Sequence, residues 1–453
     1  MASSNKLKKT GKHQRIEVGI SMLLIQLFAY LLVAQNGHPI AYRYMLIPML
    51  VIMFGGWALV RYMQSDERFF LYAVILLTFG TIIQCMLMKE DGKPSLMYYY
   101  IAAFVVAILA GLLYSKLTLI ASAQGVTILI GLSVVLYLAT LILGVSAADG
   151  VTNWIKLGPV TVQPSEFIKL IYVLILAGLL CSTDDPSDRR VWTAIGVTLM
   201  NLFFLVVQGE LGTCLLIVGI FLCFVFLFVP NMKWFAMSFL LLLGCGGLGT
   251  YIVLKFHGSS DGIIGKLINK VYRRIFVSWL DPESDVDASY QIRQARKALL
   301  NSHAFGSDTE TYIPYKDTDM VFPTLTEHCG ILIALVVCAL FVLLIIRATR
   351  IYYTCPDRYH QAVCAGLSFQ FVMQAFIIIG GSTGLMPLTG VTLPLISRGG
   401  SSLMSTFVSI AIILIISSGG LWSGRRDDSE YDSKLQKTRT NYSNRVYSVR
   451  HRN

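Results

Sequence analysis

Apolar residues occupy this chain in long uninterrupted runs, and polar residues gather in the breaks between them. A run of about 20 such residues is what a helix needs to cross a bilayer. Runs of that kind can be drawn at about 17–35, 43–63, 69–88, 97–114, 120–146, 164–181, 191–208, 211–229, 234–256, 321–346, 359–384 and 401–421. The pattern predicts an all-α polytopic membrane protein of roughly twelve spans. One stretch departs from it. Residues 385–402 read Leu385-Met-Pro-Leu-Thr-Gly-Val-Thr-Leu-Pro-Leu-Ile-Ser-Arg-Gly-Gly-Ser-Ser402, too apolar for a water-exposed loop and too rich in Pro and Gly for a continuous helix. Irregular backbone at membrane depth survives only where protein or a wet cavity satisfies its N–H and C=O groups. A structured pocket is therefore expected here, the plain alternative being a tight connector between two spans.

Composition agrees with the pattern: 453 residues, 55% hydrophobic and 14% charged, with a mean hydropathy of +0.64, lie outside the range of soluble globular domains. Charge then orients the spans, because Lys and Arg are held on the cytoplasmic side. The amino-terminal arm carries Lys6, Lys8, Lys9, Lys12 and Arg15 and is placed inside. Counting from there puts Arg68, Lys116, Arg189, Arg190, Lys233, Arg347, Arg350 and Arg358 inside too. The expected organisation is a basic cytoplasmic arm over 1–15, amino-terminal spans over 16–115, a core over 116–422 with a long outer loop at 257–319, and a disordered cytoplasmic tail over 423–453. No cleavable-signal pattern precedes the first run, which should stay as an anchor. The net charge of +11 comes largely from arm and tail and fits anionic lipid head groups; no nucleic-acid motif accompanies it. Nine Cys show no ligand spacing for zinc and imply no disulfide.

Candidate chemistry lies in the outward breaks. In Gln163-Pro-Ser-Glu-Phe-Ile-Lys169, Pro164 suits a first helical turn, and Glu166 and Lys169 fall at i, i+3 on one face. An ion pair at the mouth of a membrane helix is costly unless it meets water, a partner or a substrate. Trp154, just before it, reads equally as an interfacial anchor or a site residue. In the long loop, Asp281 to Asp287 lacks the Gly and closing Glu of a calcium loop. Beyond it Arg293, Arg296 and Lys297 form a cationic helix edge that could hold a diphosphate or lipid heads. Asp319 comes where the loop meets the next apolar run, with Glu327 two turns further on nearly the same face. A carboxylate at such a partly dry boundary has a raised pKa and suits proton abstraction, whereas a plain helix cap is the competing role.

Five ordered motifs resemble the SEDS family of membrane proteins, which includes FtsW, RodA and SpoVE. They are Trp154-Ile155 with Gln163-Pro-Ser-Glu166 and Lys169; Gln208-Gly-Glu-Leu-Gly-Thr213; Asp281-Pro282 with Tyr290-Gln291; Thr318-Asp319 with Val321-Phe322, Glu327 and Gly330; and Pro387, Thr389-Gly390, Leu393-Pro394, Ser397 and Gly399-Gly-Ser-Ser402. The resemblance implies a bundle of about ten core helices, to which this chain adds about two at its amino terminus. It also implies a peptidoglycan glycosyltransferase that polymerises lipid II on the outer face of the cytoplasmic membrane beside a class B penicillin-binding transpeptidase. By that likeness Asp319 is the essential loop aspartate, here assigned as the base that deprotonates the acceptor hydroxyl. The expected substrate-binding set is Trp154, Glu166, Lys169, Tyr290, Gln291, Arg293, Arg296, Lys297, Glu327, Ser397, Arg398, Gly399, Gly400, Ser401 and Ser402. A divalent cation, Mg or Mn, could share the diphosphate charge, although no ligand cluster specifies one.

The chain also departs from the family pattern. Asn153 stands where Arg is usual, Gly209-Glu210 for Pro-Asp, Ser302-His303 for paired glycines, Asp317 for His, His328 for the second Glu of a pair, Ile378 for Asn and Arg398 for Tyr. These changes keep two other classes open: a lipid carrier, which a charged cavity in a many-helix protein also fits, and a silent scaffold for a transpeptidase.

Overall fold

The computed structural model describes residues 19–34, 39–88, 95–116, 121–146, 152–158, 160–182, 186–258, 265, 268–269 and 271–418. The basic arm and the tail expected above lie outside these residues. Ten of the described helices are long and apolar enough to cross a membrane.

The chain opens with a shorter apolar helix, α1 (Gly19–Ala34). Helix α2 begins as Pro39–Leu50 and runs through a π-helical turn, Val51–Gly55, into Gly56–Tyr62. There follow α3 (Glu67–Met86), α4 (Ser95–Lys116) and α5 (Ala123–Leu143). A small antiparallel sheet comes next, with β1 (Gly144–Ser146), β2 (Thr152–Leu157) and β3 (Val160–Val162) in that order. Then come α6 (Pro164–Leu180), α7 (Asp188–Val207), α8 (Leu211–Phe228) and α9 (Met232–Phe256). The long loop carries a π-helical segment, Arg273–Leu280, and α10 (Val286–Asn301). The chain returns through α11 (Val321–Cys329), α12 (Ile331–Thr354), α13 (Arg358–Thr383) and α14 (Gly400–Ser417).

Local chemistry sets the ends of several helices. Asp66 and Ser122 accept backbone N–H groups at the starts of α3 and α5, and Pro164 opens α6, where its missing N–H costs nothing. Helices α3 and α14 are apolar on every side and largely buried, as befits central positions, while α9 stands at the periphery with most of its surface facing outward. The two amino-terminal helices, α1 and α2, are fastened to α3, through Gln26 Nε2 donating to Thr78 Oγ1 at 3.1 Å and Trp57 Nε1 donating to Glu67 at 3.2 Å.

The apolar run at 321–346 is not one span. Gly330 adopts φ +94°, closed to other residue types at low strain, and breaks the run into α11 and the true span α12. The break is held by tertiary contact, since a Cβ at Gly330 would stand 2.3 Å from the Ala304 carbonyl oxygen. Short α11 is thereby docked against the loop, with Ser307 N donating to Glu327 O at 2.8 Å.

Candidate active site

Residues 385–399 form an irregular segment between α13 and α14 whose backbone groups are met by side chains of the surrounding helices and of the segment itself. Gln374 Nε2 donates to Thr392 O at 2.9 Å, Ser397 Oγ accepts from Leu393 N at 2.8 Å, and Gln84 Nε2 donates to Ile396 O at 3.2 Å. This is the protein-satisfied irregular backbone that membrane depth demands. Close approach is made possible by Gly80 of α3, where a Cβ would sit 2.2 Å from Leu395 O.

The loop bearing Asp319 is tied directly onto this segment. Gln84 Nε2 also donates to Asp317 O at 2.9 Å, Arg398 N donates to the same oxygen at 2.8 Å, and Ser397 Oγ donates to Thr318 O at 2.7 Å. Met320, the next residue, is buried in a small apolar core with Ile292, Ala295, Ala298 and Ile313, against which Leu388 packs. Asp319 is thus gripped on both sides while its own carboxylate faces Gly390, close enough that a Cβ there would lie 3.6 Å from Oδ2. The helix-cap role is taken by Met320, without a side-chain bond, so Asp319 does not cap α11. Burial raises its pKa to about 6; Arg274 of the π-helical segment opposes that rise and Asp317 adds to it.

Behind the segment runs a buried polar spine. Lys169 Nζ lies 2.8 Å from Glu166 Oε1, both side chains almost wholly enclosed, and donates to Gln374 Oε1 at 3.3 Å. Glu166 Oε2 accepts from Ser405 Oγ at 3.1 Å. Glu210, at the turn before α8, accepts from Gln163 Nε2, Ser165 Oγ and Thr213 Oγ1 at 2.9–3.0 Å. Burial raises its pKa and those three bonds oppose the rise. Gln163 N donates to Ser401 Oγ at 2.9 Å, and Thr392 Oγ1 and Ser402 Oγ lie 2.6 Å apart. Glu166, Lys169, Gln374 and Thr392 are therefore joined by hydrogen bonds, and Thr392 lies two backbone steps from Gly390, which the Asp319 carboxylate faces.

The remaining expected residues divide by what they touch. Arg293 pairs with Glu283 at 3.2 Å, and Lys297 is exposed. The Arg296 guanidinium lies on Gly384, whose φ of +80° ends α13 and whose carbonyl accepts from Trp279 Nε1 at 3.2 Å. The cationic edge of α10 is consequently divided among different partners. Arg398 pairs with Asp317 at 3.3 Å. Glu327 is buried, its Oε1 accepting from Thr311 N at 2.9 Å and its Oε2 lacking a hydrogen-bond partner. Trp154 is half-buried on β2, opposite Val145 of β1. Tyr290 is exposed, while Gln291 Nε2 and Thr389 Oγ1 are buried polar atoms without partners. Gly399 precedes α14, and Gly400 sits against the ring of Tyr99.

Three residues absent from the sequence reading prove central in geometry: Gln84, Gln374 and Arg274. Gln84 and Gln374 were legible only as polar residues inside apolar runs, a signal worth following because such groups are costly in a membrane. Among the described residues, no three His, Cys, Asp or Glu side chains converge to hold a metal.

A profile of the FtsW/RodA/SpoVE cell cycle protein family matches residues 67–419. Stage V sporulation protein E of Bacillus subtilis is 31% identical over 280 residues, covering 59% of this chain and 72% of that protein. Peptidoglycan glycosyltransferase RodA of Mycobacterium bovis is 28% identical over 296 residues, covering 60% of this chain and 59% of RodA, under two thirds of its length. Among solved structures, a chain of a peptidoglycan synthase complex that coordinates polymerization and crosslinking superposes with a TM-score of 0.62 at 24% identity, covering 78% of this chain and 97% of that one.

Proposed function

The chain belongs to the FtsW/RodA/SpoVE family, and on that premise we propose that it is a peptidoglycan glycosyltransferase elongating glycan strands from lipid II. The observation that carries the reading is the Asp319 carboxylate, held at the seam between the long loop and the irregular segment with a pKa of about 6. At neutral pH it is mostly ionised yet basic enough to take a proton, the condition for a general base.

Asp319 accepts the proton of the acceptor sugar hydroxyl as its oxygen bonds to the anomeric carbon of the donor. The bond from that carbon to the diphosphate oxygen breaks, and the diphosphate leaves with the electron pair, inverting the anomeric centre. Arg274 is the cation that acts on the Asp319 carboxylate, which suits it to the developing negative charge. The partnerless polar atoms of Gln291 and Thr389 offer hydrogen bonds to sugar or diphosphate oxygens. Buried Lys169 and Glu166 serve this chemistry as a rigid support for Thr392 through Gln374.

Orientation follows from the two ends of α3. Asp66 starts it beside Arg347, at 2.8 Å, while Gln84 near its other end holds the Asp319 loop. A helix of this length spans about 30 Å. We place the end of α3 that carries Arg68, where Asp66 pairs with Arg347, in the cytoplasm and Asp319 on the outer face. A class B penicillin-binding transpeptidase is the proposed partner.

The test is synthesis by the purified chain in liposomes with lipid II, with and without such a partner, scored for glycan polymer and for lipid translocation. Polymer that disappears in Asp319→Ala is the expected result. Translocation without polymer would replace the reading by a carrier, and co-purification without polymer by a scaffold.

A further inference from the structure

A partly open apolar groove of about 270 Å³ runs between α2, α3, α4 and α14. Faces carrying Leu59, Val74, Ile108 and Ile410 form its walls, Leu395 of the irregular segment closes one end and Ser65 lies at the other. Helix α2 precedes the residues matched by the family, so one wall belongs to this chain's addition.

Ser65 points to what the groove takes. It is 8% exposed, and its hydroxyl oxygen has no hydrogen-bond partner. A donor left unmet beside an otherwise apolar channel matches an amphiphile, with a hydrocarbon chain along the channel and an oxygen at the hydroxyl. Charge at that end selects the head group. Arg61, over the Trp57 ring, and Arg68 are exposed there, and of the two neighbouring carboxylates Asp66 pairs with Arg347 and Glu67 accepts from Trp57, so this end carries a net positive charge. We propose that the groove is a binding site for an anionic glycerophospholipid, one acyl chain filling it and an ester or phosphate oxygen accepting from Ser65 Oγ.

The far end gives the site a consequence. Leu395 is buried and adopts φ +66°, a conformation that a branched side chain keeps only when its surroundings hold it. An acyl chain packed beneath it braces the segment onto which the Asp319 loop is tied. This bracing is independent of the proposed reaction and is read without an activity assay.

Native mass spectrometry of the delipidated full-length protein should show one retained phosphatidylglycerol, favoured about tenfold over phosphatidylcholine. Ile108→Trp and Leu59→Trp fill the groove from different walls, and each should abolish retention with thermal unfolding unchanged; either one decides the matter if the other fails to fold. Ser65→Ala should weaken retention about fivefold, the loss of one hydrogen bond, and the Arg61→Gln, Arg68→Gln double variant should remove the preference for phosphatidylglycerol. Amide exchange over 385–399 should slow on lipid addition in the wild type and not in Ile108→Trp. Retention untouched by both Trp variants overturns the site, equal retention of the two phospholipids overturns the anionic assignment, and displacement by an equimolar polyprenyl phosphate overturns the phospholipid as occupant. Unaltered exchange overturns the bracing.

Discussion

Asp319 pays for its reactivity in stability. Its pKa stands near 6, above the ordinary carboxylate value of 3.8, so the ionised form is disfavoured in the folded protein. That penalty is present above pH 6 and fades as pH falls toward the unfolded value. Asp319→Asn should therefore leave thermal stability at pH 8 unchanged or higher, while polymerisation drops by about 10²–10⁴-fold. The wild-type rate should fall on the acid side with a midpoint near 6. A wild-type profile flat from pH 5 to 8 would remove Asp319 from the base role. Lys169 presents the opposite case. Its ammonium is buried with Glu166, and Lys169→Met strands that carboxylate, at an expected cost of about 3–5 kcal/mol in unfolding experiments. Glu166→Gln added to Lys169→Met should recover part of that loss. Were the single variant as stable as wild type, the buried pair would contribute nothing to stability. The pairing of Glu166 with Lys169 was legible from i, i+3 spacing alone, because both lie on one helix turn. The role of Gln84 was not, because its acceptors Asp317 and Ile396 are 233 and 312 residues away.

Helix ends and breaks were readable where they depend on a local residue, and obscured where they depend on a distant one. Pro164 announces α6, and Pro and Gly density announces the irregular segment. Gly330 was hidden inside a continuous apolar run, and its effect comes from the Ala304 carbonyl pressed against it. Gly330→Ala requires both a left-handed conformation and displacement of that carbonyl, so it should destabilise the protein by about 1–3 kcal/mol or more in thermal unfolding. Gly80 makes a similar contact between elements. A side chain there collides with Leu395 O, and Gly80→Val should speed amide exchange over 385–399 and reduce polymerisation together. Protection as strong as in the wild type would mean that α3 does not support the segment.

The bundle as a whole has two chemically unlike ends. At one, Asp66 pairs with Arg347 at 2.8 Å; the other holds the sheet, the long loop and Asp319. In a Cys245→Ser background, an impermeant maleimide applied to intact cells should label Lys297→Cys readily and Arg350→Cys only after permeabilisation. The reverse pattern would place Asp319 in the cytoplasm and exclude polymerisation outside. At this scale residues that the resemblance marked as departures also find places. Asp317 and Arg398 pair with each other at the rim of the site, and Glu210 sits in a cage of three donors.

The amino-acid order alone determined that the protein is a helical membrane bundle, where most of its spans fall, and that residues 385–402 and Asp319 deserve scrutiny. Those properties follow from transfer of local apolar stretches into lipid and from backbone groups that Pro and Gly leave unmet, which any short window of residues reports. Only the tertiary structure decided that Gln84 joins loop to segment, that Arg274 comes near enough for its charge to act on Asp319, and that Arg296 rests on Gly384. Such contacts depend on which helix faces meet, and in lipid that is settled by close packing and a few hydrogen bonds rather than by hydrophobicity, which every face of these helices shares.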